Sequence, residues 1–226
     1  MRDLSNPVHK TNLTLHYDIS HPSAGESFFH YEGSSVPFRA KDPRVHSDLS
    51  LQRAFNSKLR WITLGGQYDW SKKEYPAGPP PKFPEDIEDL LHGLFPEMRP
   101  QAAIVNFYSP RDTLSLHRDV SEEVDRGLVS VSMGCDGIFI IGLPNHNHGA
   151  SQSHILRLRS GDAVCMSGKA RYAWHGVPRI ISGSCPEYLA DWPGSDFPHW
   201  RDYMRNKRIN LNVRQMYSTR DDETTL

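Results

Sequence analysis

The sequence predicts an α+β fold: a double-stranded β-helix (jelly roll) core with N-terminal helices packed outside it. Three observations predict it. From about Ala103 onward, short β-rich runs follow one another, separated by Gly, Pro, Asn and Asp. Upstream lie two stretches with helix signals and little strand alternation. The length of 226 residues, with 37% hydrophobic content, suffices for one sizeable core and is short for two full domains.

In chain order, residues 1–41 carry little periodicity and many Ser, Pro, Gly and His, so they read as an irregular arm or a partner for the core. A helix is predicted over Pro43 to Phe55, with Asp42 as N-cap and Pro43 at its first position. Leu59 to Leu64 (LRWITL), bulky and β-branched, suits a strand. Five prolines between Lys73 and Pro84 keep that stretch out of a sheet interior and make it an extended loop. In PEDIEDLLHGLF the residues Ile87, Leu90, Leu91 and Leu94 recur at helical spacing, with Glu85 and Asp86 in the first turn where the helix dipole favours acids. The strands then read AAIVNFY, TLSLHRD, GLVSVSMG, GIFIIGL, SHILRLRSG, DAVCMSG and RINLNVRQMY. This divides the chain into residues 1–58, an arm and a helix, and residues 59–226, the jelly-roll domain.

Composition narrows the class further. Lys plus Arg (26) nearly cancel Asp plus Glu (27), so no global basic excess marks a nucleic-acid binder. No run approaches the eighteen or so apolar residues of a membrane span, and MRDLSNPVHK lacks a secretory core, so a soluble intracellular chain is expected, without a membrane partner. Three cysteines, Cys135, Cys165 and Cys185, at irregular spacings and without Cys-x-x-Cys, argue against a disulfide framework or a cysteine zinc site. Charge is uneven locally: between His199 and Arg220 the basic Arg201, Arg205, Lys207, Arg208, Arg214 and Arg220 face one acid, Asp202, which would present a basic rim to phosphates.

Twelve histidines are the unusual feature. In His117-Arg118-Asp119, a strand would project the imidazole and the carboxylate to one face and Arg118 to the other. A lone His-x-Asp occurs by chance in many proteins, so a third ligand is needed. His175, in the hydrophobic and aromatic stretch ARYAWHGVPRI, is the best candidate, since a buried His needs a reason to be there. Two imidazoles and one carboxylate with open positions suit non-haem Fe(II) and oxygen chemistry. His146 and His148 sit in a polar turn and read as facing water.

A second constellation is Arg208, Asn210 and Arg214, which share parity in the strand RINLNVR while Ile209, Leu211 and Val213 share the other. Buried unpaired charge costs several kcal/mol, so two guanidiniums on one inward face call for an anion, naturally a dicarboxylate held by forked hydrogen bonds. The competing readings are pairing with protein acids and a solvated face. Asn106 and Tyr108 show the same i, i+2 parity and add an amide and a phenol suited to a small acid.

In this order of parts, NFY, LSLHRD, SGDAVCMSGKARYAWHGVPR and RINLNVRQ, the chain resembles the AlkB family of Fe(II)- and 2-oxoglutarate-dependent dioxygenases from roughly Leu59 to Met216. LRWITLGGQYDWSKKEY and HRDVSEE make it most similar to the eukaryotic AlkB homologue 1 branch; residues 1–58 match less clearly. The resemblance implies His117, Asp119 and His175 as iron ligands and Arg208 as the holder of the distal carboxylate of 2-oxoglutarate. Asn106, Tyr108, Asn210 and Arg214 would line the cosubstrate or substrate side. It makes residues 59–84 a nucleotide-recognition segment, with Trp61 and Tyr68 helping to form a nucleobase pocket and Asp69 and Trp70 adjoining it. Aromatic walls suit an extruded base. The chain departs from the bacterial enzyme at Ser121, where that enzyme has an acidic substrate contact. It also has a longer insertion between His175 and Arg208, with Pro186, Pro193, Gly194 and Pro198, expected to reshape the mouth of the site.

The implied reaction consumes 2-oxoglutarate and O2, yields succinate and CO2, and oxidises an N-methyl carbon that leaves as formaldehyde. The implied substrate is methylated DNA or tRNA, as N6-methyladenine or 1-methyladenine. The alternatives are hydroxylation of 5-methylcytosine in tRNA, of a protein or of a small molecule, and abasic-site cleavage through a lysine Schiff base, with Lys169 as a candidate. A monomer in the nucleus, cytoplasm or mitochondrion is expected.

Overall fold

The structure, a computed structural model, describes residues 9–23, 26–69, 72, 74–76, 78–120, 126–143 and 152–217. Its regular elements are β1 (Tyr17–Ile19), β2 (Phe38–Ala40), α1 (Leu51–Arg53), β3 (Trp61–Gly65), α2 (Glu85–Leu94), β4 (Ala102–Tyr108), β5 (Leu114–His117), β6 (Leu128–Gly134), β7 (Gly137–Leu143), β8 (Gln152–Leu158), β9 (Ala163–Met166), β10 (Trp174–Ile180), α3 (Glu187–Ala190) and β11 (Arg208–Arg214). The strands form a five-stranded sheet in the order β3-β4-β11-β6-β9, a four-stranded sheet in the order β5-β10-β7-β8, and the small pair β1-β2. Every pairing between named strands is antiparallel. From β4 to β11, apart from the β7-β8 pair, sequence neighbours alternate between the two larger sheets, which is the interleaving of a jelly roll.

Alternation along the strands separates two environments. Ile62, Leu64, Ala103, Phe107, Leu211 and Val213 belong to clusters on the outer face of the larger sheet. Tyr108, Leu128 and Met166 of that sheet meet Phe139, Leu158, Val177 and Ile180 of the smaller one in the space between them. The polar row of β11 therefore points inward.

Outside the sheets the chain departs from the expected helices. The segment after Asp42 forms one turn: the Asp42 carboxylate accepts the Arg44 N–H at 3.0 Å and its carbonyl accepts from Val45 and His46. Helix begins only at Leu51, capped by Ser50 Oγ on the Arg53 N–H at 3.3 Å, and passes into a π-helical turn at Ala54–Lys58. Val45 is 69% exposed, so residues 43–48 offer no apolar stripe to bury, and the chain instead extends to bridge Leu49 with Phe38. In α2 the four apolar positions divide. Leu91 is buried and Ile87 packs against the same cluster, whereas Leu90 and Leu94 are about 60% exposed.

The arm is a second half of the core. Phe28, Phe29, Phe38 and Phe55 pack with Trp200 and Tyr203, and ring centroids lie 5.3 Å apart for Phe55–Trp200 and 5.5 Å for Phe29–Trp200. Trp200 Nε1 donates to the Tyr31 carbonyl at 3.0 Å. The insertion between His175 and Arg208 thus packs on the arm, and none of residues 181–207 lines the cavity that holds His175. The arm also covers the edge of the larger sheet: Thr11 bridges Ile62, and Asn12 Oδ1 accepts the Arg60 N–H at 2.8 Å. Among the described residues no helix is long and apolar enough to cross a membrane.

Most of the expected basic rim is not on the described surface: Lys207, Arg208 and Arg214 are buried and Arg205 pairs with Asp202 and Glu187, while Arg201 is exposed and Arg220 lies outside the described residues.

Candidate active site

Two registers build the site. In the larger sheet, Trp61, Asn106, Asn210 and Ser132 form one cross-strand row, Tyr108 and Arg208 another, and Ile104, Asn212 and Ser130 a third. Directly paired residues share a face, so these rows look into the space between the sheets. In the smaller sheet His117 of β5 pairs directly with His175 of β10. A cavity of about 430 Å³ is lined from both sides, by Asn106, Arg208, Asn210, Asn212 and Arg214 opposite His117, Asp119 and His175.

Strand β10 is absent from the strands read in the sequence because Gly176 and Pro178 interrupt its alternation and the pairing shifts register between Gly176 and Arg179. Gly176 is required. A Cβ there would sit 2.8 Å from the Leu114 carbonyl oxygen on β5, so only glycine lets the two histidine-bearing strands approach.

The three proposed ligands converge. Asp119 follows the end of β5, and its carboxylate lies 3.9 Å from His117 Nε2 and 3.8 Å from His175 Nε2. One donor atom from each residue falls within 4.8 Å of the others. His117 Nδ1 faces the Ser115 carbonyl at 2.9 Å and His175 Nδ1 faces the Ala173 carbonyl at 3.0 Å. A carbonyl only accepts, so each Nδ1 carries the hydrogen and each Nε2 presents its lone pair inward, the tautomer of a metal ligand. Burial first of all pushes His175 below the ordinary histidine range, which favours the neutral ligand form. For Asp119 burial alone would act upward, but Arg214, His175, His117 and Asn212 together hold its carboxyl below the usual range.

The two arginines of β11 have different surroundings. Arg214 Nη2 lies 3.3 Å from Asp119 Oδ2 and its Nη1 contacts the Tyr75 hydroxyl at 3.4 Å, so one of the two expected anion binders pairs with a protein acid. Arg208 is 1% exposed; its Nη2 donates to Ser132 Oγ at 2.9 Å, while Nε and Nη1 have no hydrogen-bond partner. Its guanidinium lies 5.3 Å from the Tyr108 ring centroid. Burial lowers its pKa. A Cβ at Gly137 would stand 2.9 Å from Arg208 Nε, so the glycine keeps room beside it. A buried guanidinium in the cavity with two idle donor nitrogens, and no carboxylate against it, fits the carboxylate end of a small acid.

The other predicted residues are placed as follows. Asn210 lines the cavity and donates to Ser130 Oγ at 2.8 Å and the Val131 carbonyl at 3.1 Å. Trp61 is half-buried beside Asn106. Tyr68 meets Tyr75 edge to face at 5.2 Å, and Asp69 bridges Glu74 and accepts the Lys72 N–H at 3.1 Å. Trp70, Ser121, His146 and His148 lie outside the described residues.

Sequence reasoning missed three neighbours. Asn212 donates to Asp119 Oδ2 at 3.3 Å, and its parity with Asn210 was the available signal. Tyr75 reaches Arg214 from the proline-rich loop. Arg171, 2% exposed, donates from Nη1 to the Asp119 carbonyl and from Nε to the Arg126 carbonyl, each at 2.8 Å, and so ties together the two ends of the segment that follows the metal pair. Its position four residues before His175 gave no warning.

The chain matches the 2OG-Fe(II) oxygenase superfamily over residues 13–214. It is 50% identical to the N6-methyladenosine RNA demethylase ALKB1 of Pyricularia oryzae, over 95% of this chain and 68% of that protein. It is 53% identical to the N6-methyladenosine RNA demethylase ALKBH of Cryphonectria parasitica, over 90% of this chain and 99% of that one. The chain belongs to the AlkB family of Fe(II)- and 2-oxoglutarate-dependent dioxygenases, in its ALKBH1 branch. Another AlkB-family relative, the tRNA demethylase abh1 of Schizosaccharomyces pombe, is 39% identical over 96% of this chain and 72% of its own length. The solved structure of OsALKBH1 shares the fold, with a TM-score of 0.56 at 24% identity, covering 69% of this chain and 77% of that one. For an AlkB-family enzyme the donor set fits the iron: two imidazoles with lone pairs inward and one carboxylate kept ionised. The idle donors of the buried Arg208 guanidinium likewise fit 2-oxoglutarate.

Proposed function

We propose that this AlkB-family chain removes N-methyl groups from adenine in nucleic acid, with N6-methyladenosine in RNA as the leading substrate. The observation that carries the reading is the meeting, in one cavity, of the His117–Asp119–His175 set and the buried guanidinium of Arg208, whose Nε and Nη1 have no partner. The names of the two fungal relatives at 50% and 53% identity support RNA, and that of the yeast relative supports tRNA, where 1-methyladenine is the second candidate.

His117 and His175 would hold iron through Nε2 and Asp119 through its carboxylate, a three-donor set that leaves positions for other ligands. Bound iron, with 2-oxoglutarate and O2, would supply the oxidising power that converts the N-methyl carbon to a hydroxymethyl, lost as formaldehyde. Arg208 would take the distal carboxylate of 2-oxoglutarate through its guanidinium, which has donors to spare and lies 5.3 Å from the Tyr108 ring centroid. Asn212 and Arg214 keep Asp119 oriented and ionised. Ser115 and Ala173 fix the imidazole tautomers through their carbonyls. Residues 59–84 are read as the nucleotide-recognition segment, where Trp61, Tyr68 and Tyr75 offer aromatic surface to a flipped base. The enzyme is read as a monomer.

Lys169 lies on an exposed turn at Gly168–Ala170 and does not line the cavity, so nothing in its surroundings supports the abasic-site reading. The test is mass spectrometry of RNA and tRNA oligonucleotides bearing N6-methyladenine, 1-methyladenine or 5-methylcytosine after incubation with Fe(II) and 2-oxoglutarate. Loss of the adenine methyl group with equimolar succinate and formaldehyde is expected. Succinate release without any change in the oligonucleotides would refute the substrate class.

A further inference from the structure

The smaller sheet has an outer face that the chemistry above does not use. His117 and His175 point into the cavity, so their neighbours Arg118 and Trp174 point to the other side of the same strand pair. There the Arg118 guanidinium lies 5.3 Å from the centroid of the Trp174 ring. Trp174 is 43% exposed, Leu116 beside it 58%, and Ile155 further across the face 69%. The cross-strand neighbour of Trp174 on β7 is Gly142, and Gly176 follows it on β10, so the floor next to the indole is bare of side chains.

The charge of this face is one-sided. The chain has 27 acidic residues, yet none of them falls in β5, β7, β8 or β10. Arg118 and Arg179 are exposed, and no described acidic residue pairs with either. Arg157 at the far end is held by Asp136 at 2.7 Å. An exposed apolar strip normally invites a protein partner. Here the strip is narrow, cationic and built around an indole already stacked on a guanidinium, which is the arrangement that holds an unpaired base and its phosphates.

We infer that this face, centred on Trp174 and Arg118, is a platform for single-stranded nucleic acid. It binds nucleotides that flank the target base, which pass around the free edge of β5 as the target enters the cavity. The inference rests on the reading of the chain as a nucleic-acid demethylase and deepens it, because it concerns affinity for the strand irrespective of methylation.

The test is fluorescence anisotropy with Mn(II)- and 2-oxoglutarate-loaded protein and a labelled single-stranded RNA of about 15 nucleotides, with and without one N6-methyladenine. Trp174→Leu, which keeps apolar bulk, and Arg118→Ala, at an exposed position, are expected to raise Kd by about tenfold for both RNAs, the size of a lost stack. Trp174→Phe is expected to restore most of the affinity, and the parent's affinity to fall steeply with salt. An affinity within twofold of the parent in Trp174→Leu and Arg118→Ala would overturn the inference. So would a loss confined to the methylated RNA, which would place these residues in base recognition. Binding of phosphatidylserine vesicles that is lost in Trp174→Leu while RNA affinity is kept would assign the face to a membrane surface and overturn it as well. If the variants weaken RNA binding as expected but the parent removes no methyl group from any oligonucleotide, the demethylase reading fails and the platform stands.

Discussion

At the scale of single residues, the decisive property is which polar atoms are left without a partner. Arg208 is buried with two idle N–H groups, whereas Arg214, six positions along the same strand, leans on Asp119. Arg208→Lys keeps the charge but loses the fork, so KM for 2-oxoglutarate should rise by about tenfold or more, read from succinate release; an unchanged KM would remove Arg208 from cosubstrate binding. His117→Ala or Asp119→Ala should abolish 2-oxoglutarate turnover, and unaltered succinate release in either would sink the ligand assignment. Arg171→Ala leaves the Asp119 and Arg126 carbonyls without their donor, at about 1–3 kcal/mol each. A lower Tm together with weaker Mn(II) binding is expected, and a loss of Tm alone would make Arg171 a purely structural residue. Lys207 gives a pH signature. Burial first of all lowers its pKa to about 8, although its ammonium donates to the Asn56 carbonyl and Ser109 Oγ. Between that value and the ordinary lysine range the unfolded chain holds the extra proton. Stability from this group therefore rises with pH across that window. The difference in Tm between the parent and Lys207→Met, followed from pH 7 upward, is the measurement; a pH-independent difference would contradict it.

At the scale of elements, β5 and β10 form the hinge between sequence and chemistry. The pairing of His117 with His175 needs the two backbones close, and Gly176 allows it. Gly176→Ala should push the strands apart and weaken Mn(II) binding well beyond its effect on Tm; equal metal affinity would show that the strands adjust without moving the imidazoles. The strands most legible in the sequence were the unbroken β-rich runs, β4, β6, β7 and β11. Strand β10 was not legible, because glycine, proline and a register shift erase the period while cross-strand bonds to β5 and β7 still fix it. The helix expected from Asp42 and Pro43 failed for the converse reason. Its capping signals were present, but Val45 had nothing to pack against, and the signals served a single turn.

At the scale of the whole molecule, the arm and the insertion before β11 close over one aromatic cluster on the outside of the larger sheet. Ile62 and Phe107 of the sheet belong to that cluster together with Phe55 and Trp200. Arm and jelly roll should therefore melt together. Trp200→Ala should lower stability by about 3–5 kcal/mol while urea unfolding stays a single transition by fluorescence and circular dichroism; two separated transitions would show that the arm folds apart from the sheet. The same geometry explains why the insertion packs far from the site mouth.

The sequence by itself determined the pieces whose signal is local. These are the short β runs, the shared parity of Arg208, Asn210 and Arg214, the His-x-Asp pair and the candidate third ligand. Parity is a property of neighbouring residues, so it survives without knowledge of the fold. Only the tertiary structure decided which groups meet. It gave Arg214 to Asp119 and left Arg208 open, brought Asn212, Tyr75 and Arg171 to the metal set, and took the insertion to the arm. Partnership between residues far apart in the chain is set by register and burial, and neither is encoded in any one segment.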